Sequence, residues 1–220
     1  MEACDLTSTY YKTDVAAPDI WLRFLSALKK NTGTEALIAG GAVRDTLLGR
    51  PIKDVDVWVR GAFPAALIPW IESVVAEGDF VSVRKVCAGD YIKHFGSEKM
   101  HVGRVLEVMV DHRYGGDVMF NIIEMVGATS WEDVVNHFDF GVCRAWLAFD
   151  GTLMFGNEFL KDACARTFTY LGKDGTDERS WNRWERFKAD KYRDWSFVGL
   201  SDPFEPMTFD CAPSAQVPAL

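Results

Sequence analysis

Between Ala39 and Val57 a short apolar run meets Gly40-Gly41, continues as Ala42-Val43-Arg44-Asp45 and Leu47-Leu48-Gly49, and ends in Asp54-Val55-Asp56. The order reads as strand, tight turn, helix, strand. Glycine lets backbone approach a ligand closely. The first N–H groups of a helix lack internal partners and favour anions. The turn is therefore a candidate phosphate cradle, with Arg44 in the first helical turn to add charge-assisted bonds. Side chains alternate along a strand, so Asp54 and Asp56 share one face. Two adjacent carboxylates repel unless a cation lies between them. Hard oxygen ligands suit Mg²⁺, which takes one or two carboxylates plus substrate phosphates.

The remaining pattern is α+β. Apolar spacing from Ile20 to Leu28 predicts a helix that starts near Pro18 and stops at Gly33. Ala36 to Ala39 and Val55 to Val59 read as strands, and Ala42 to Leu48 and Pro64 to Ala76 as helices. Phe80 to Val86, Val102 to Val110 and Asp117 to Val126 read as strands, the last two joined by a turn at Gly115-Gly116. Ser130 with Asp133 resembles a capping box that opens another helix. Phe140 to Phe149 is strand-like, Asp150-Gly151 is a hairpin turn, and Leu153 to Phe155 is a return strand. Glu158 to Arg166 and Ser180 to Asp194 read as helices. The expected division is an N-terminal segment 1–17, a sheet-and-helix domain 18–170, a helical appendage 171–200 and an extended tail 201–220.

Composition narrows the function. With 220 residues and 48% hydrophobic residues the chain is globular, of one-domain size. A net charge of −8 argues against a surface that coats nucleic acid throughout, though not against a local basic patch. The five cysteines form no zinc-like pattern and read as reduced thiols of a cytoplasmic protein. There is no apolar run of about 18 residues and no signal-like N-terminus, so no membrane association is expected.

Gly40, Gly41, Arg44, Asp45, Leu47, Leu48, Gly49, Asp54 and Asp56 together resemble the signature of the polymerase-beta-like nucleotidyltransferase superfamily. The resemblance is closest to the CCA-adding tRNA nucleotidyltransferase and bacterial poly(A) polymerase branch. A looser one, around His137 to Cys143, is to small phage-encoded nucleotidyltransferase-like proteins. The resemblance implies a palm of short mixed sheet backed by helices. It implies transfer of a nucleoside monophosphate from an NTP to a hydroxyl, with two Mg²⁺ ions held by Asp54 and Asp56. Gly40, Gly41, Arg44 and Lys53 would serve the phosphates, and Asp45 would orient Arg44 or the turn. The acceptor would be an RNA 3′ end, tRNA-like, or a protein. The family's third acidic ligand aligns with Asn121, which brings an oxygen but no charge. Glu124, three residues on, points to the other face. Asp117 and Asp139 are further acids that could approach the site.

That substitution leaves open an alternative, a weakened palm that binds nucleotide or a partner protein in a regulatory, toxin or anti-defence role. Two basic stretches are also ambiguous between binding and structure. One is the cluster from Arg84 to Arg104. The other is the helix with Trp181, Arg183, Trp184, Arg186, Phe187 and Lys188, whose aromatics could stack on bases or pack on the core.

Overall fold

The structure, a computed structural model, describes residues 10–76, 80–86, 101–110, 118–148, 150–172 and 178–199. The elements are β1 (Tyr10–Ala16), α1 (Asp19–Thr32), β2 (Ala36–Ala39), α2 (Gly41–Leu47), β3 (Asp54–Arg60), α3 (Leu67–Ala76), β4 (Phe80–Val86), β5 (His101–Val110) and β6 (Val118–Val126). There follow α4 (Trp131–Asn136), a 3-10 turn (Gly141–Cys143), β7 (Ala145–Leu147), β8 (Thr152–Gly156), α5 (Asn157–Ala165), β9 (Thr167–Thr169), α6 (Glu178–Asp190) and β10 (Ser196–Val198).

Eight strands form one mixed sheet in the order β1-β8-β7-β2-β3-β6-β5-β4. Strands β3 and β6 run parallel, and the other neighbours are antiparallel. The centre of the sheet is apolar because β2 is buried throughout and Val55, Val57, Phe120 and Ile122 are fully enclosed. Helix α1 covers this face through Trp21, Phe24 and Leu28, spaced to make one stripe. The Phe24 ring stacks on Phe120 at 4.2 Å. Gly33 ends α1 with φ 71°, and its N–H bonds to the Lys29 carbonyl. Alternation along β3 therefore turns Asp54 and Asp56 away from α1, toward the opposite face.

That opposite face is closed farther along by the second half of the chain. The ring of Phe138 lies 5.5 Å from that of Trp58. An aromatic cluster of Phe140, Phe168, Trp184, Phe187, Tyr192 and Trp195 joins α6 to β9 and the 3-10 turn. The aromatic stripe of α6 thus packs on the core, with Trp184 buried and Trp181 and Phe187 partly so; Tyr192 and Trp195, just past the helix, are buried as well. Asp162 pins the same region, its carboxylate accepting from the backbone N–H of Val142 and Thr169 and from two threonine hydroxyls.

The fold is the α+β arrangement expected, with local differences. Strand β1 was not anticipated: most of its side chains are exposed at a sheet edge, so it carries no apolar alternation. The Phe140–Phe149 run is broken by the 3-10 turn, since Val142 N–H is drawn to Asp162. Helix α3 begins at Leu67, after a turn in which Leu67 N–H bonds to the Pro64 carbonyl. Strands β9 and β10, three residues each, are too short to show a period. The capping box at Ser130 and Asp133 is present. The loop from 87 to 100, the turn at Gly115-Gly116 and the tail 201–220 lie outside the described residues. No helix among the described residues is long and apolar enough to cross a membrane.

Candidate active site

Strand β2 delivers Gly40 to the head of α2. Gly40 has φ 90°, a conformation side-chain-bearing residues rarely adopt. Its N–H bonds to the Ala145 carbonyl on β7, and its carbonyl accepts from Arg44 N–H. Next to this turn, on neighbouring β3, stand Asp54 and Asp56, both half-buried, with exposed Lys53 just before them.

Asn121 on β6 is in register with Asp56, and its Nδ2 donates to Asp56 Oδ1 at 3.0 Å. Only the amide end can donate to a carboxylate, so this contact fixes which way Asn121 points. The row continues to Glu107 on β5, the register partner of Asn121. The Asp56 carboxyl is pushed up to about 6 by burial, helped by the charge of Asp54; the Asn121 bond, Arg183 and Arg44 pull the other way without prevailing. Among the described residues no cation lies within 4 Å of either aspartate carboxylate. A divalent cation would relieve this repulsion. Two carboxylates and an amide make a hard oxygen set of the kind magnesium takes. No cluster of three His, Cys, Asp or Glu residues suited to a metal is present among the described residues.

Arg44 is more enclosed than expected. It is 2% exposed, turned inward beneath α6. Its Nε donates to Asp45 Oδ1 at 2.7 Å and to the Tyr192 hydroxyl at 2.9 Å, and Nη1 lies 3.3 Å from Cys143 Sγ. The rings of Phe187, Tyr192 and Phe168 surround it at 4.7–5.7 Å. Its Nη2 lies 3.7 Å from where a Cβ on Gly41 would stand, so the enclosed guanidinium borders the glycine turn from within, and its protein partners give it a structural role beside any part in phosphate binding. Asp45 is equally buried and also accepts from the Lys191 ammonium and the Tyr192 hydroxyl. Burial would raise its carboxyl, but Arg44, Lys191 and Tyr192 outweigh that and hold it below the usual range. Burial likewise keeps the Cys143 thiol and the Tyr192 phenol protonated, so Asp45 is the ionised partner of Arg44 at neutral pH.

The other candidates divide. Glu124 lies on the α1 face, where it accepts from Phe63 N–H and from Arg104 through both oxygens, so it has no part in the aspartate row. Asp139 is held by Ser180 and Arg183 of α6. Asp117 lies outside the described residues. Sequence reading paired Arg44 with the turn and named Arg183 within a helix that could bind or pack, without linking it to Asp139. The only available signal was its place in a basic, aromatic helix.

The sheet order, the glycine turn and the aspartate strand define the class: a nucleotidyltransferase fold. The structure is similar to a tRNA-processing enzyme in its apo form (TM-score 0.56, 18% identity, covering 85% of this chain and 45% of that one). It is similar, too, to the Thermotoga maritima CCA-adding enzyme complexed with tRNA (TM-score 0.55, 16% identity, covering 86% and 42%). A stretch of 48 residues is 52% identical to the CCA-adding enzyme of Listeria innocua, over 21% of this chain and 12% of that enzyme. The chain thus spans less than half the length of each of these relatives. Within the class it belongs to the Gad2 family, the Gabija anti-defense 2 proteins, which it matches over residues 16–166.

Proposed function

We propose that this protein is a magnesium-dependent nucleotidyltransferase that moves a nucleoside monophosphate from an NTP to a hydroxyl, and that this transfer serves the anti-defence role its family name carries. The observation that carries the reading is the half-buried Asp54–Asp56 pair beside the Gly40–Gly41 turn, with a carboxyl at about 6 and, among the described residues, no cation within 4 Å of it. A carboxylate pair without a countercharge is costly to keep unless something positive is bound there in use.

Asp54 and Asp56 would hold the magnesium ions. Bound there, the metal would supply charge neutralisation on the triphosphate and a lower pKa for the attacking hydroxyl. The turn at Gly40 and Gly41 lets the triphosphate approach the backbone closely, and exposed Lys53 adds positive charge beside it. The acceptor oxygen attacks the α-phosphorus and its proton passes to solvent. The bond to the bridging oxygen breaks, and pyrophosphate leaves with the electron pair. Asn121 fixes the rotamer of Asp56 through its amide. Catalysis of this kind rests on positioning and electrostatics and needs no covalent nucleophile. Residues 18–170 would form the transfer domain. An RNA 3′ end, tRNA-like, is the favoured acceptor, since the relatives named above process or bind tRNA.

A second reading is favoured by one observation, the neutral Asn121 on the strand beside Asp56. It is a weakened palm that binds nucleotide, or a protein of the defence system, without transfer. The test uses the purified protein with Mg²⁺ and each labelled NTP, with total RNA and total protein as acceptors. Label entering a macromolecule with wild type and not with Asp56→Ala supports the transferase and names the acceptor class. Mg²⁺-dependent NTP binding without transfer supports the weakened palm. Neither transfer nor binding overturns both nucleotide readings.

A further inference from the structure

We infer that Arg183 is a second arginine of the site, gripping the terminal phosphates of the NTP from the α6 side while Arg44 lies beneath the glycine turn; the inference rests on the nucleotidyltransferase reading above. Arg44 has its Nε committed to Asp45 and Tyr192, its Nη1 directed at Cys143 and its Nη2 3.7 Å from where a Cβ on Gly41 would stand, and its side chain is 3% exposed. Arg183 keeps 29% of its side chain exposed. It approaches the site from α6, beyond the residues that match the family.

Contacts on two sides locate it. Nη1 of Arg183 bonds to Asp139 Oδ2, the oxygen that also accepts from Ser180. Asp139 follows Phe138, whose ring lies 3.5 Å from where a Cβ on Gly40 would stand and 5.5 Å from the Trp58 ring. Trp58 is two residues from Asp56 and shares its face of β3. Asp139 thus follows a residue that touches both the glycine turn and the aspartate strand, and the positive charge of Arg183 is felt at Asp56. On the other side, the Phe187 ring has Arg44 at 4.7 Å and Arg183 at 5.8 Å, so the two guanidiniums share one aromatic wall.

A guanidinium carries five N–H donors in one plane, which suits it to phosphate oxygens. Among the described residues, Asp139 is the one hydrogen-bond acceptor Arg183 reaches. Part of its side chain stays exposed, with the rings of Phe140 and Phe187 against the guanidinium. Asp139 both aims Arg183 and competes with any phosphate for it. This makes opposite predictions for the two partners, which a purely structural ion pair does not.

The test measures calorimetric binding of the magnesium complex of each NTP, and of the matching NMP, to the full chain. Arg183→Gln should weaken NTP binding roughly ten- to hundredfold, the worth of a charged hydrogen-bond pair, and leave NMP binding unchanged. Arg183→Lys should recover part of the loss. Asp139→Asn should tighten NTP binding several-fold by removing the competitor. If both Arg183→Gln and Asp139→Asn merely lower the melting temperature, with NTP and NMP affinities moving together, the pair is structural and the inference falls. If wild type binds NTP in a manner lost in Asp56→Asn yet Arg183→Gln binds as wild type does, this assignment alone falls. If wild type binds no NTP, the nucleotidyltransferase reading falls and takes this one with it.

Discussion

Asp45 on α2 and Asp56 on β3 are separated by the last turn of a short helix and a strand entry, and the fold treats them in opposite ways. Asp45 is buried with three donors around its carboxylate: Arg44, Lys191 and Tyr192. It ionises more readily than a free carboxyl. Asp56 is only half-buried, yet among the described residues its one donor is a neutral amide, and its carboxyl is pushed up to about 6. Burial alone does not decide the outcome, since the deeper acid has the lower pKa. The count of positive partners decides it. Asp45 is completed by the protein, whereas Asp56 is left to be completed by something bound. The first acid ties α2 to the C-terminal segment, and the second holds the position where chemistry is proposed.

The largest effect expected from this contrast is on stability. Arg44→Met removes the main partner of a buried carboxylate and leaves Asp45 with Lys191 and Tyr192. Losing one member of a buried pair costs about 3–5 kcal/mol. Urea denaturation at pH 7 should show a loss in that range. A loss below about 1 kcal/mol, the worth of a surface pair, would mean Lys191 alone suffices and the contrast is not one of complete against incomplete pairing.

Asp56 should behave in the reverse sense. Its carboxyl pKa of about 6 in the fold compares with about 3.9 in an unfolded chain. Between those pH values the fold keeps a proton that the unfolded chain has released. Stability of the metal-free protein therefore falls as pH rises from about 4 to about 6 and stays lower above. A sealed group with this gap would be worth roughly 3 kcal/mol; water reaches Asp56, so about 1–2 kcal/mol is expected. Asp56→Asn should accordingly stabilise the metal-free protein at pH 8 by that amount, with no gain at pH 4. Thermal melts across pH in EDTA would check this, and a destabilised Asp56→Asn at pH 8 would break the comparison. Added Mg²⁺ should raise the wild-type melting temperature, as a ligand bound only to the native state does. It should not raise that of the variant.

What could be read in advance follows the same line. The turn and the aspartate strand were legible because Gly40-Gly41, Asp54 and Asp56 act within one local segment where spacing dictates geometry. Helix α1 and the Ser130 cap were legible for the same reason: a stripe and a cap are local signals. The fate of Arg44 was not, because Tyr192 lies 148 residues away in the chain. A motif shows which residues recur together and not which of them a later helix will cover. The partner of Arg183 was hidden likewise, since Asp139 is 44 residues distant and in a different element. Edge strand β1 escaped because an exposed edge has no need of apolar alternation.

The smallest effect tests the contact that links Asp56 to β6. Asn121→Asp replaces an amide 3.0 Å from Asp56 with a second acid and removes the hydrogen bond that draws the Asp56 carboxyl down. Like charges at that range push one carboxyl further up. Metal-free protein should lose about 1 kcal/mol, which at this size lowers the melting temperature by about 2–4 °C. With metal the sign reverses: a third anionic oxygen should lower the Mg²⁺ concentration needed for half-maximal NTP binding several-fold. If instead Mg²⁺ dependence is unchanged while stability falls, Asn121 serves only to position Asp56. The row across β3 and β6 would then be a two-carboxylate site by construction, and the uncharged third position would be no evidence of a weakened palm.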